Sequence, residues 1–404
     1  MILKLILFNT MVAFHKFMLP HFAIMLWVLR LLWVKISVYF FFSLLFFFMF
    51  VAVQTLLNGN YSLQGLIIYT LSFLVYKIAY DFGTQKPDES AQAVRSVFFL
   101  CLCLGLVEGI FGLHWPTSPL SGVSQYFGRS TSDLTNLSDA AVDYVKTMPT
   151  GFLGNPNTFS VFVFLCLVYL RDELGRLKFI ITLIVLFIIV SCGARLTFLG
   201  FLLYNLSYFR ARTLFLLSIT LLAIFSLDVQ FIYFSKVNEL VGLFQFIFKT
   251  LSTISFVELM EAAGSISTRV NLTINGWYLF TESLWFGNGL NGVVWNAENL
   301  GVYNKGRLVA SLHNTLLELL MDTGLIGTFF ILVSMWTGFV PKKIKFLKFN
   351  IFRFLAIFVI VNFSASSLLY SFPNLALLAL ILVKVQCSSR QVISFSKQVS
   401  EPIK

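Results

Sequence analysis

Long apolar runs separated by short basic clusters organise this chain. A helix that crosses the bilayer core needs about 20 mostly apolar residues. Runs of that kind recur at 36–57, 63–80, 94–112, 152–170, 177–193, 195–209, 213–234, 313–339, 350–369 and 372–386. Residues 1–34 are interrupted by His15, Lys16 and Pro20, and hold either one helix near 17–34 or two short ones. The pattern predicts an all-α, polytopic integral membrane protein with roughly eleven or twelve transmembrane helices. No soluble domain is expected at either end, so residues 1–404 read as a single membrane domain.

Composition agrees. The chain is 58% hydrophobic and only 12% charged, where soluble domains average about 25% charged residues. The 47 phenylalanines are easily tolerated where side chains face acyl chains. A net charge of +11 would raise nucleic acid as a partner of a soluble protein. Here the basic residues alternate with apolar runs: Arg171, Arg176 and Lys178; Arg210 and Arg212; Lys342, Lys343, Lys345 and Lys348; Arg390, Lys397 and Lys404. These clusters fall at every second connection, so one alternating topology places all of them in the cytoplasm. The charge reports topology, and no nucleic-acid partner is expected. None of the five cysteines forms a CxxC pair, and neither a metal site nor a disulfide framework is expected. No cleavable signal peptide is expected either, because apolar sequence continues past the first segment without a small-residue cleavage site.

The same topology puts two longer segments outside. Residues 113–150 are rich in Ser, Thr and Asp, and 235–312 form the largest non-spanning stretch. The beginning of the latter, "KVNELVGLFQFIFKTLSTISFVELMEAAG", mixes apolar and charged residues at near-helical spacing, which predicts interfacial amphipathic helices.

Four polar stretches stand at the expected outer helix ends. In "PTGFLGNPNTFSVF" (149–162), Asn155 and Asn157 flank Pro156, which also suits a turn with an N-cap. In "SCGARLTF" (191–198), Arg195 is the strong cation of its connection, set against the cytoplasmic bias; it either snorkels or holds an anion. Arg269 precedes an amphipathic stretch that leads to "GNGLNG" (287–292). That run fits G-x-G-x-x-G, but it lies in an exterior loop and not in a βαβ unit, so its glycines are expected to permit a tight turn. Last, "SLHNTLLELLMDTGLIG" (311–327) places His313 and Asn314 at the mouth of a long apolar helix, with Glu318 and Asp322 on one face of it. The histidine also suits a headgroup-level tip and the asparagine a cap.

Taken in order, "GFLGNPN", "SCGAR", the Arg before "FGNGLNGV" and "HNTLLELLMDTGLIG" resemble the O-antigen polymerase and ligase family of bacterial membrane glycosyltransferases. The resemblance covers roughly residues 149–330, and departs at "SCGAR", where the family often has a Ser-Gly-Ser-Arg-like run. It implies transfer of a glycan from an undecaprenyl diphosphate carrier to a sugar hydroxyl at the periplasmic side of the inner membrane. Donor and acceptor glycans are then the partners, with the bilayer and a chain-length regulator as a further candidate. His313 becomes the catalytic residue, and Arg195, Arg269, Asn314, Asn155 and Asn157 the substrate-binding ones. Guanidinium matches diphosphate oxygens bidentately, so no metal or other cofactor is called for. A polymerase joins carrier-linked repeat units; a ligase moves the finished chain to lipid A core. The polymerase reading is preferred. A transporter or flippase is the reading from another class, and Glu108 within 94–112 is its best midplane ionisable residue.

Overall fold

A computed structural model describes residues 2–7, 38–59, 62–114, 148–153, 155–206, 265–292, 312, 314–337, 357 and 371–385. Among them all regular structure is helical, as expected of an all-α polytopic membrane protein. The α-helices are α1 (Ile2–Leu7), α2 (Val38–Asn58), α3 (Leu63–Gln85), α4 (Pro87–Phe111), α5 (Pro156–Leu170), α6 (Lys178–Ser191), α7 (Arg195–Leu206), α8 (Ser265–Glu282), α9 (Thr315–Thr337) and α10 (Phe372–Val385). By length and composition α2, α3, α4 and α9 can each cross a membrane, while α7 and α10 are shorter apolar helices. The expected spans 213–234 and 350–369 lie outside the described residues apart from Ile357, as does most of 1–34.

Several helices overrun their apolar segments. α3 continues to Gln85, carrying an i,i+4 pair in which Lys77 Nζ donates to Asp81. α4 begins at Pro87, with Pro at its first position and Asp88 and Glu89 in the first turn, where acidic groups favour the helix dipole. The expected span from 152 divides instead into a 3-10 turn (Gly151–Leu153) and α5, because Asn155 caps a new helix start.

Side-chain contacts fix how the helices run. Ser160 Oγ donates to Thr197 Oγ1 (3.0 Å) near the starts of α5 and α7. Arg171 Nη1 donates to Asn205 Oδ1 (2.8 Å) near their ends, so the two are parallel. α10 runs the same way, with Asn374 Nδ2 on Thr158 O (3.4 Å) and Lys384 Nζ on Tyr169 O (2.6 Å). α3 and α9 are likewise parallel, tied by Tyr69 to Asp322 and by Tyr76 to Met335. Gly83, near the end of α3, abuts Leu380 and Val383 near the end of α10. The starts of α3, α5, α7, α9 and α10 therefore share one end of the bundle, the Asn155 end; the opposite end carries Arg171.

α5 is the central helix. From Phe159 to Leu167 every side chain is buried, the mark of an apolar helix surrounded by others. α2 instead buries Phe40, Phe47, Phe50, Val51 and Gln54, and leaves Phe41, Phe42, Phe46 and Phe48 exposed. In lipid such exposure carries no water-exclusion penalty, and packing quality holds the helices together. Gly105 serves that packing: a Cβ there would stand 2.7 Å from Ile188 Cδ1.

Candidate functional site

Two helix pairs carry the candidate residues. The first is α8 with the start of α9, joined by a small apolar cluster of Leu272, Leu279, Leu312, Leu317 and Met321. Gly276 permits the approach, since a Cβ there would lie 2.9 Å from Leu312 Cδ1. Residues 269, 272, 276 and 279 are spaced three or four apart, so the register puts position 269 on the face that packs against Leu312. α8 already begins at Ser265, which puts Arg269 inside it and not ahead of it. Asn314 caps α9: its Oδ1 accepts from Leu317 N (3.1 Å) and its carbonyl from Glu318 N (2.9 Å). His313 and the side chain of Arg269 lie outside the described residues.

The second pair is α5 with α7. Asn155 Oδ1 caps α5, accepting from Asn157 N (3.0 Å) and Thr158 N (3.2 Å), with Pro156 at the first helical position. Arg195 is the first residue of α7, two before the Thr197 that meets Ser160; its side chain lies outside the described residues. Asn155, Asn157 and Arg195 thus gather where α5 and α7 start. The segment before α5 is held from behind by Glu108, fully buried, which accepts from Thr150 N and Gly151 N (both 2.6 Å). His114 Nδ1 lies 3.9 Å from its other oxygen.

Both pairs sit at the Asn155 end, where the starts of five helices present partly positive backbone ends. Among the described residues no three His, Cys, Asp or Glu side chains come together as a metal group would require.

The expected unbroken helix from 313 is broken. Gly324 has φ 62°, and the loop 283–292 enters the break. Asn288 N donates to Met321 O (2.7 Å) and Gly289 N to Asp322 O (3.2 Å). In return Leu325 N donates to Leu284 O (2.9 Å) and Ile326 N to Trp285 O (3.2 Å). The Gln54 side-chain amide donates to both Phe286 O and Asp322 O, and Asn58 Nδ2 to Gly287 O (2.6 Å). Backbone groups freed inside a membrane must find partners, and here the chain itself provides them. The glycines of "GNGLNG" do form a turn, with positive φ at Gly287 and Gly289, and they also allow backbone-to-backbone docking. A Cβ at Gly287 would fall 2.5 Å from Gly324 N, and one at Gly324 would fall 2.4 Å from Trp285 O.

Comparison with known proteins meets this geometry in the same region. Residues 159–332 match the family model described as O-Antigen ligase. The match contains three of the four motifs and begins just after "GFLGNPN", so it supports the resemblance to the O-antigen ligase and polymerase type over this stretch. It runs from the first turn of α5 through most of α9. The chain is also 23% identical over 286 residues to the teichuronic acid biosynthesis protein TuaE of Bacillus subtilis (strain 168), covering 65% of this chain. It spans 56% of that relative's length. No solved structure matches.

Sequence reasoning left unread this clamp, in which loop 283–292 docks into the break in α9. Asp322 within an apolar helix was its signal, since an ionisable group in a span needs a partner. Glu108 gave the same signal, but it binds backbone near the Asn155 end and not at the midplane. The break in α9, which a transporter would use to hold an ion on freed carbonyls, has Met321 O and Asp322 O already accepting from the chain.

Proposed function

We propose that this chain is a surface-polysaccharide polymerase, joining repeat units carried on undecaprenyl diphosphate at the periplasmic face of the bacterial inner membrane. The observation that carries the reading is the α8–α9 packing within the O-antigen ligase match, which brings the Arg269 face of α8 against the residue preceding His313. The family description and the relative's name both concern surface polysaccharides.

The chemistry follows from these positions. The acceptor hydroxyl oxygen attacks the anomeric carbon of the carrier-linked sugar, and the bond from that carbon to the phosphate oxygen breaks. Undecaprenyl diphosphate departs with the electron pair. Arg195 and Arg269 take up its charge through bidentate contacts, with no divalent metal assigned. His313 receives the hydroxyl proton. In sequence it stands just before the Asn314 cap, and a neutral imidazole is the form that a base must be. Asn155 and Asn157, with Asn314, hold substrate polar groups at the same end.

The word ligase in the family description favours a second reading, transfer of the finished chain to lipid A core. One variant tests both. His313→Ala is expected to lower turnover by about 10²–10⁴-fold, the usual worth of general-base help. With a disabled polymerase, lipid A core carries at most one repeat unit. With a disabled ligase, the core is bare and long chains remain on the carrier. An unchanged polysaccharide ladder at equal protein level removes His313 from the chemistry.

A further inference from the structure

Asp322 has no part in the transfer just described, yet it is fully buried and heavily engaged. Its Oδ1 accepts from Gly292 N (2.8 Å), and its Oδ2 accepts from Asn291 N (3.1 Å) and the Tyr69 hydroxyl (2.9 Å). A carboxylate in an apolar interior is costly unless donors surround it, and those donors would be orphaned without it. The fit around it is tight. Asn291 takes φ 64°, and a Cβ at Gly292 would lie 2.9 Å from Asp322 Oδ1. Along the chain, Gly292 leads to Leu312 and His313, while α9 runs back from Asp322 to Asn314. The carboxylate therefore closes a ring of chain in which His313 lies. Tyr69 on α3 and Gln54 on α2 tie this ring to helices outside the matched residues 159–332.

We infer that Asp322 is a positioning residue: by locking residues 291–292 to the break in α9, it fixes the α8–α9 pair that presents Arg269 and His313. The inference rests on the transfer reading above for its consequence, but not for its geometry.

The test uses the full chain with its five cysteines replaced and Gly65→Cys and Leu290→Cys introduced. A Cβ at position 65 falls 2.9 Å from Leu290 Cβ, so a seated loop brings the two thiols within disulfide reach after a small shift. Asp322→Asn turns an acceptor into a donor facing N–H groups, and is expected to slow disulfide formation on the order of tenfold. In the chain with leucine and glycine kept at 290 and 65, Asp322→Asn should lower kcat on the order of 10²-fold at unchanged KM for carrier-linked repeat units. Tyr69→Phe removes one donor and should shift both readouts the same way by less; it carries the test where Asp322→Asn does not fold. Equal disulfide rates overturn the lock. Slowed disulfide formation with unchanged kcat, or a raised KM alone, overturns the positioning role. Absence of transfer in the unsubstituted chain overturns the transfer reading itself, while the disulfide rates still decide whether Asp322 seats the loop.

Discussion

The two helix pairs at the Asn155 end are built on different principles. Where α8 meets α9, four backbone bonds cross a broken helix, the side chains of Gln54 and Asn58 bind backbone there, and Tyr69 reaches the Asp322 carboxylate. Where α5 meets α7, apolar packing dominates, with one hydroxyl pair between Ser160 and Thr197 and a capping asparagine at the rim. Directional bonds between backbones admit one register and no added atom, whereas packed side chains yield by small amounts. The first pair fixes geometry; the second keeps Asn155, Asn157 and Arg195 where its helices start, with the Arg171–Asn205 bond at the far end.

The largest expected effect breaks that contrast directly. Gly324→Ala combines a left-handed φ of 62° with a Cβ placed 2.4 Å from both the carbon and the oxygen of the Trp285 carbonyl. Neither backbone can retreat without losing the bonds of the break, so little monodisperse protein should survive detergent extraction. Gly175→Ala is the control. Its φ is 51° but a Cβ there meets nothing within 4 Å, so only a left-handed penalty of about 1–2 kcal/mol applies. Equal yields of the two variants, measured by size-exclusion chromatography, would show that the clamp is not tight.

The break at Gly324 marks the limit of what hydropathy can reveal. The spans of α2, α3, α4 and α9 were legible because about 20 apolar residues need the bilayer. The break was not, because its partners come from 284–289, in a different segment of the chain that nothing around Gly324 names. The capping role of Asn155 and Asn314 was legible, since it depends only on the next three residues. The meeting of Gly276 with Leu312 was not, because it needs the α8–α9 contact. Asp322 was visible as an ionisable residue in a span, but nothing local names Asn291, Gly292 and Tyr69 as its partners.

The arginines come next, one on each pair. Arg269→Gln is expected to cost on the order of 10²–10³-fold in turnover, as the loss of a charged oxyanion contact does. Arg269→Lys should fall between, because it keeps the charge and loses the planar fork. The same series at Arg195 sharpens the comparison. Matching losses would place the diphosphate between the two pairs. A tolerated Arg195→Gln beside a crippled Arg269→Gln would confine anion binding to the α8–α9 pair, and leave Arg195 a snorkelling residue. Full activity of Arg269→Gln at unchanged protein level would sink the assignment at the α8–α9 pair.

The smallest expected effect lies at Asn155, where structure and proposed binding fall on one side chain. Its Oδ1 is already accepting from Asn157 N and Thr158 N, so Asn155→Ala should lose about 1 kcal/mol of stability from the cap alone. That loss by itself says nothing about substrate. Asn155→Asp and Asn155→Ser both keep a capping oxygen but remove the amide donor, and so separate the two roles. Thermal unfolding of purified protein in detergent should be nearly unchanged in both. If Asn155 also contacts a sugar hydroxyl through its amide, their KM for the carrier-linked repeat should rise while kcat holds, the mark of lost uniform binding. If KM stays level in both and falls out of line only in the alanine variant, Asn155 is a cap and nothing more. The polar groups of the α5–α7 mouth that hold substrate are then Asn157 and Arg195.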